Sequence, residues 1–243
     1  MKTVQQKIRR MHKLSGLVLA LLISLNCQPE ESAEEIIQKS IKAHGFSPQK
    51  TPISFTKSSQ LYFRNGSLEK STHQKHQIAW LPFSYQITEK TAQGTMVITQ
   101  RNDQYSVEIN GQAITDTLGV QNAKNTLKAA LFVFWQPAKL RDKKAKFRYL
   151  GKKKLIHEKM VNAIEVYYPK STSTDKWEFY FDTESYLNIG YSVKHKGRWS
   201  LILNDAFHRE HRPILVKERR SFLIDSTNNS TVLRATYAYR ILP

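Results

Sequence analysis

Beyond Pro52 the chain alternates apolar and polar residues with a period of two. Ile53 and Phe55, then Leu61 and Phe63, are separated by polar positions, and Tyr105, Val107 and Ile109 alternate with Ser106 and Glu108. Trp177, Phe179 and Phe181 flank Glu178 and Tyr180, and after a turn at residues 182–185 the rhythm resumes in Leu187, Ile189, Tyr191 and Val193. Leu233, Ala235, Tyr237, Tyr239 and Ile241 close the chain in strict alternation. Successive side chains of a strand point to opposite faces, so each run predicts a strand with one apolar and one wet face. That is the pattern of an antiparallel sheet. Asn110-Gly111, at the end of the Tyr105 run, predicts a hairpin turn, because both of its residues must take positive φ.

Two segments keep a helical period instead. Ser32-Ala33-Glu34-Glu35 reads as a capping box, Ala33, Ile37 and Ile41 recur every four residues, and Gly45 ends the run, which predicts a helix over 33–44. Leu127, Ala130, Leu131 and Phe134 follow i, i+3, i+4, i+7 spacing, with Asn122 as cap and Pro137 as stop, which predicts a second helix over about 122–135. Its end, Leu131-Phe132-Val133-Phe134-Trp135, is apolar on every side and must be covered all round, so it is expected to plug the concave side of a curved sheet. The class is thus mainly β (α+β). No internal repeat or long linker divides residues 33–243, and a single domain of that size buries roughly 70% of its unfolded surface.

The first residues are set apart from the fold. Lys2, Lys7, Arg9, Arg10 and Lys13 precede an apolar run from Leu14 to Leu25 that is shorter than the ~20 residues a membrane-spanning helix needs. This predicts a secretory signal over 1–26. Cys27, the one cysteine of the chain, follows at once, so an internal disulfide is excluded. Ser24-Leu25-Asn26-Cys27 resembles the lipobox of bacterial lipoproteins, with Ser24 and Asn26 departing from the preferred residues. The resemblance implies acylation of Cys27 and membrane anchoring through a tether over 27–32. Gln28-Pro29-Glu30-Glu31 is similar to the short tag that sends some Gram-negative lipoproteins to the cell surface, though an ordinary polar tether fits as well. The expected location is therefore the outer membrane, facing the periplasm or the surface.

Charge narrows the partners. Five of the 38 Lys and Arg residues belong to the signal, leaving 33 against 20 acidic residues in the rest of the chain. Much of the excess lies in 139–154, including Lys143, Lys144, Lys146, Lys152 and Lys153, which are candidates for contact with anionic lipid head groups. A solvated basic face is the plainer alternative. With no aromatic-rich RNA-binding signature and no zinc-ligand spacing, a nucleic-acid partner is not expected.

The helix ending Ile41-Lys42-Ala43-His44-Gly45, the long run of strands with an embedded helix, and Trp177-Glu178-Phe179-Tyr180-Phe181-Asp182 with Leu187 together resemble Bacteroidota-type lipoproteins related in fold to the LolA/LolB lipoprotein carriers. The resemblance implies an unclosed antiparallel half-barrel over 33–243, helices on its concave face, and acyl chains held in an apolar hollow. Phe132, Phe134, Trp135, Trp177 and Phe179 are the candidates for lining such a hollow, although large rings can equally fill a core.

Catalytic patterns are sparse. The chain has no Gly-x-Ser-x-Gly elbow, no phosphate-binding Gly-x-x-x-x-Gly-Lys loop and no His-Glu-x-x-His pair. His73 and His76, three apart in a strand, point to opposite faces. His208, Glu210 and His211 could converge on zinc, but Arg209 and Arg212 oppose a cation there. Asp182, Glu184, Asp205 and His208 could supply acid and base, but Asp182-Thr183-Glu184-Ser185 is also what a tight turn requires. The expectation is a monomeric binding protein with no catalytic residue, metal or cofactor. The alternatives are a structural or surface-interaction lipoprotein with a packed core and, behind it, a hydrolase.

Overall fold

The computed structural model describes residues 31–46, 51–155, 158–169, 175–195, 197–225 and 230–243. The predicted signal, Cys27 and most of the tether lie outside them. Residues Ala33–Pro243 form one compact unit.

Helix α1 (Ala33–His44) buries Ile36, Ile37, Ser40, Ile41 and His44 along one stripe. It ends where Gly45 takes φ 69° and donates its N–H to the Lys42 carbonyl at 3.0 Å. That left-handed conformation is open to glycine at little cost. Strands β1 (Ile53–Tyr62), β2 (Leu68–Trp80), β3 (Phe83–Thr91), β4 (Gly94–Arg101), β5 (Gln104–Ile109) and β6 (Gln112–Ala113) then zigzag outward. Asn110 (φ 51°) and Gly111 (φ 78°) make the expected hairpin between β5 and β6.

Helix α2 (Thr117–Phe134) and a 3₁₀ turn (Ala138–Arg141) carry the chain across to the opposite edge. From there β7 (Lys146–Lys154), β8 (Met160–Tyr167), β9 (Lys176–Asp182), β10 (Asn188–His195), β11 (Arg198–His208), β12 (Leu215–Asp225) and β13 (Ser230–Ile241) zigzag back inward. The last strand pairs with the first: Phe55 lies opposite Ile241 and Leu61 opposite Ala235. The result is one antiparallel sheet in the order β6-β5-β4-β3-β2-β1-β13-β12-β11-β10-β9-β8-β7. Its edges β6 and β7 do not pair, so the half-barrel stays open, as the alternation and the resemblance led us to expect.

Both helices pack on the same sheet face. The α1 stripe meets Ile164, Val166, Phe179, Phe181, Tyr191 and Ile202 of β8–β11. Ala123 and Leu127 of α2 meet Phe55, Ile78, Tyr85, Ile87, Ile98 and Val107 of β1–β5. Phe132 and Trp135 reach the α1 cluster while Leu131 and Phe134 reach the other, which explains an apolar helix end with no polar side.

Helix α2 begins five residues before the position its periodicity predicts. Its cap is Asp116, whose carboxylate accepts the Gly119 N–H at 2.7 Å, rather than Asn122. The first turns carry no apolar repeat because they bury little, and Leu118 is exposed there.

A hollow between helix α2 and the sheet centre

The C-terminal half of α2 does not reach the middle of the sheet. Thr126, Ala129, Ala130, Val133 and Phe134 of the helix border a hollow of about 370 Å³. The lining comes from α2, from β1–β3 on one side and from β10–β13 on the other. The β1–β13 pairing therefore creates its floor, joining residues from the two ends of the chain.

One part of the hollow is apolar and aromatic. Phe134 of α2 stacks on Phe55 of β1 at 5.3 Å between centroids and 7° between planes, and Phe55 stacks on His76 of β2 at 4.6 Å and 11°. His76 is held by two hydrogen bonds: Nε2–H donates to Gln74 Oε1 at 3.2 Å, and Nδ1 accepts from the Tyr85 hydroxyl at 2.7 Å. Burial first, and the nearby Lys57 second, push the His76 imidazole down to about 3, so it is neutral at physiological pH. Burial likewise raises the Tyr85 phenol far above its ordinary range. Ile87, Tyr191, Ile202, Leu215 and Ile241 extend this surface.

The rest of the floor is cationic. Arg219 of β12 is only 4% exposed. Its Nε donates to Asn204 Oδ1 at 2.8 Å, and its guanidinium carbon lies 6.0 Å from the Tyr239 ring centroid. Lys57 of β1 places Nζ 5.4 Å from the Tyr237 centroid. Burial, followed by repulsion from Arg219, lowers the Lys57 ammonium, with Glu89 opposing. Burial also raises the hydroxyls of Tyr191, Tyr237 and Tyr239. Among the described residues, those around the hollow include Lys57 and Arg219 but no Asp or Glu.

Of the rings proposed from sequence as lining, Phe134 lies on the hollow wall. Phe132 packs edge-on against Trp177 at 5.5 Å, Trp177 stacks on Phe179, and Trp135 packs on Trp80 at 4.4 Å. Those four therefore pack in the cluster under α1, rather than on the wall. The sequence proposes none of Lys57, His76, Arg219, Tyr237 and Tyr239 as lining: His76 is weighed there only as a metal ligand, and Tyr237 and Tyr239 only as part of an alternating strand. A signal for Lys57 was present, since it falls on the same alternation as Ile53 and Phe55.

Lys143 and Lys144 precede β7, and Lys146, Lys152 and Lys153 lie on it; Lys153 is paired with Glu178 at 2.6 Å. The candidate acids and bases have other partners. Asp182 accepts the Ser185 N–H at 2.8 Å and pairs with Lys159 at 2.9 Å, contacts that outweigh its desolvation and hold its carboxyl down near 2. Asp205 receives two hydrogen bonds from Arg220, at 2.9 and 2.7 Å. His208 Nε2 donates to the Tyr239 carbonyl at 2.9 Å, and its other ring nitrogen lies 3.1 Å from Glu210. Among the described residues no three His, Cys, Asp or Glu side chains gather as a metal site.

An open antiparallel half-barrel with two helices on one face defines the structural class. Two solved structures are similar to it in fold. One is a DUF1329 family protein from Desulfovibrio piger, with TM-score 0.51, 7% identity, and coverage of 87% of this chain and 92% of that one. The other, a candidate outer membrane lipoprotein-sorting protein domain from Vibrio parahaemolyticus, has TM-score 0.51, 8% identity, and coverage of 87% and 92%. A LolA superfamily protein from Nitrosomonas europaea aligns with TM-score 0.49 at 10% identity, over 88% of this chain and 96% of that one. At such identities the likeness to the Desulfovibrio and Vibrio structures establishes the fold alone. No protein-family profile matches the sequence, and no curated protein does.

Proposed function

We propose that this chain is a lipid-anchored cell-envelope protein that holds a hydrophobic or amphiphilic ligand, a lipid or acyl chain, in its half-barrel. The hollow beneath α2 carries the reading: 370 Å³ lies within the range of small-molecule sites, and most of its wall is apolar. Each methylene moved there from water contributes about 0.8 kcal/mol. The lipoprotein-sorting name of the Vibrio domain supports a carrier role, and the signal followed by Cys27 supports export and anchoring at the outer membrane. Two acyl chains on Cys27 would hold the protein stably, whereas one would not. In this reading Phe134 touches the ligand, while Phe132, Trp135, Trp177 and Phe179 back the roof. Lys143, Lys144, Lys146, Lys152 and Lys153 face anionic head groups, and the protein acts as a monomeric binder rather than an enzyme.

The test is solvent extraction and mass spectrometry of the purified full chain carrying Cys27→Ser, with displacement of an apolar fluorescent probe. Recovered lipid or saturable displacement is expected. A chain with neither is a packed scaffold, the alternative that the hollow disfavours.

A further inference from the structure

The hollow contains an asymmetry that an apolar ligand does not use. Arg219 brings a guanidinium group onto the floor, buried from solvent. Its Nε is satisfied by Asn204, and the guanidinium stands close enough to a second cation, Lys57, to disfavour the Lys57 charge. The acid that most affects Lys57 is Glu89, which receives the Gln74 amide at 2.7 Å and is not part of the hollow's lining. A buried guanidinium without a carboxylate is costly, because the field it lost from water is not replaced. Tyr237 and Tyr239 offer ring faces and hydroxyls, which relieve the cost only in part. Hence the floor is prepared for a negative charge, whereas the wall formed by Phe55, Phe134 and Ile87 is prepared for hydrocarbon.

We infer that the ligand is a single-chain anionic amphiphile whose carboxylate or phosphate head is received by Arg219 and Lys57 while its chain lies against Phe55, Phe134 and Ile87. This rests on the carrier reading above and narrows it. The volume, near the lower end for ligand sites, suits one chain with one head group. A guanidinium reads a carboxylate or phosphate through paired N–H donors, which a neutral alcohol of equal chain length cannot match.

The experiment uses the full chain carrying Cys27→Ser, loaded with 1-N-phenylnaphthylamine and titrated with hexadecanoate, hexadecyl phosphate, hexadecanol and hexadecyltrimethylammonium below their micelle concentrations. We expect at least one of the two anions to displace the probe about ten-fold or more better than the alcohol, and the cation worst of all. The better anion identifies which head group the site takes. Arg219→Met and, separately, Lys57→Met should each shrink the ratio of anion to hexadecanol displacement at least about five-fold. The Lys57 variant keeps the test open if Arg219→Met fails to fold. Equal displacement by anions and alcohol, or a preference that survives in the folded variants, overturns the head-group assignment and leaves the carrier reading standing. Displacement by none of the four compounds removes the carrier reading itself.

Discussion

The two halves of the sheet are covered in different ways. Under α1 the packing is dense: Ile36, Ile37 and Ile41 lock against Ile164, Phe179 and Phe181, all 2% exposed or less. Under α2 only Ala123 and Leu127 of the whole helix are fully buried. The difference lies in the residues each helix turns inward. α1 presents branched side chains that reach the sheet, whereas the second half of α2 presents the short Ala130 between Leu127 and Phe134. Both halves bury a core, but the half under α2 also leaves room beside its helix.

The largest expected effect tests this division with one chemistry in two places. Phe179→Ala should cost about 3–5 kcal/mol, because the site around it cannot collapse. Phe134→Ala should cost about 1–2 kcal/mol, since that ring already borders space. Urea unfolding of both variants measures the gap, and equal costs would erase the comparison.

Acid should act on both halves through one buried histidine in each. His44, at the end of α1, donates Nδ1–H to the Ile214 carbonyl at 3.0 Å and accepts the Asn188 N–H on Nε2 at 3.1 Å. Both bonds fit the neutral ring, and burial holds its pKa down to about 4. The corresponding group by the hollow is His76, held at about 3. Below the ordinary value of 6.5 the unfolded chain binds protons that the native chain refuses, so stability is complete above that pH and is lost as pH falls. For His44 the loss approaches about 3 kcal/mol by pH 4, and His76 adds a loss of the same sign. His44→Gln should halve the slope of stability against pH between 6 and 4.5, as read from urea midpoints. An unchanged slope would mean that the native ring already takes up the proton.

Filling the space should separate binding from stability. Ala130→Phe puts a ring into the hollow and should abolish displacement of an apolar probe while changing stability by less than about 1.5 kcal/mol. The same kind of insertion at Ala33, which is buried against the α1 cluster, should cost about 1–3 kcal/mol through overpacking. Retained probe binding in Ala130→Phe would place the binding site elsewhere.

How much of this was legible in sequence follows from the distance over which each feature is encoded. The strands and α1 are local: alternation in Tyr105–Ile109 or Leu233–Ile241 and the Ile37–Ile41 repeat appear within ten residues. The start of α2 was not legible from apolar period, because a helix that buries little need not repeat; Asp116 and Gly119 were its only local mark. The hollow is the least local feature. Its cationic floor combines Lys57 with Arg219, and they meet because β1 and β13 pair across the whole chain. Periodicity identified rings that could face inward, but it could not say which of them would meet empty space. Phe134 does, while Trp177 and Phe179 meet other rings.

The smallest expected effect concerns the two free edges. β6 is two residues long and offers little to another strand, but β7 spans nine residues and carries Lys146, Lys152 and Lys153. Lysines on an edge discourage pairing with a second chain, and they also attract anionic membranes at about 1 kcal/mol per residue near the surface. Replacing Lys146 and Lys152 by Gln distinguishes the two roles, because both positions are exposed. If the strand faces head groups, sedimentation with phosphatidylglycerol vesicles should fall several-fold at low salt while the protein stays monomeric. If the charges only guard the edge, vesicle binding should hold and light scattering should show association growing with concentration. The β6 edge, blunted by its length, should show neither change when Gln112 is replaced by Lys.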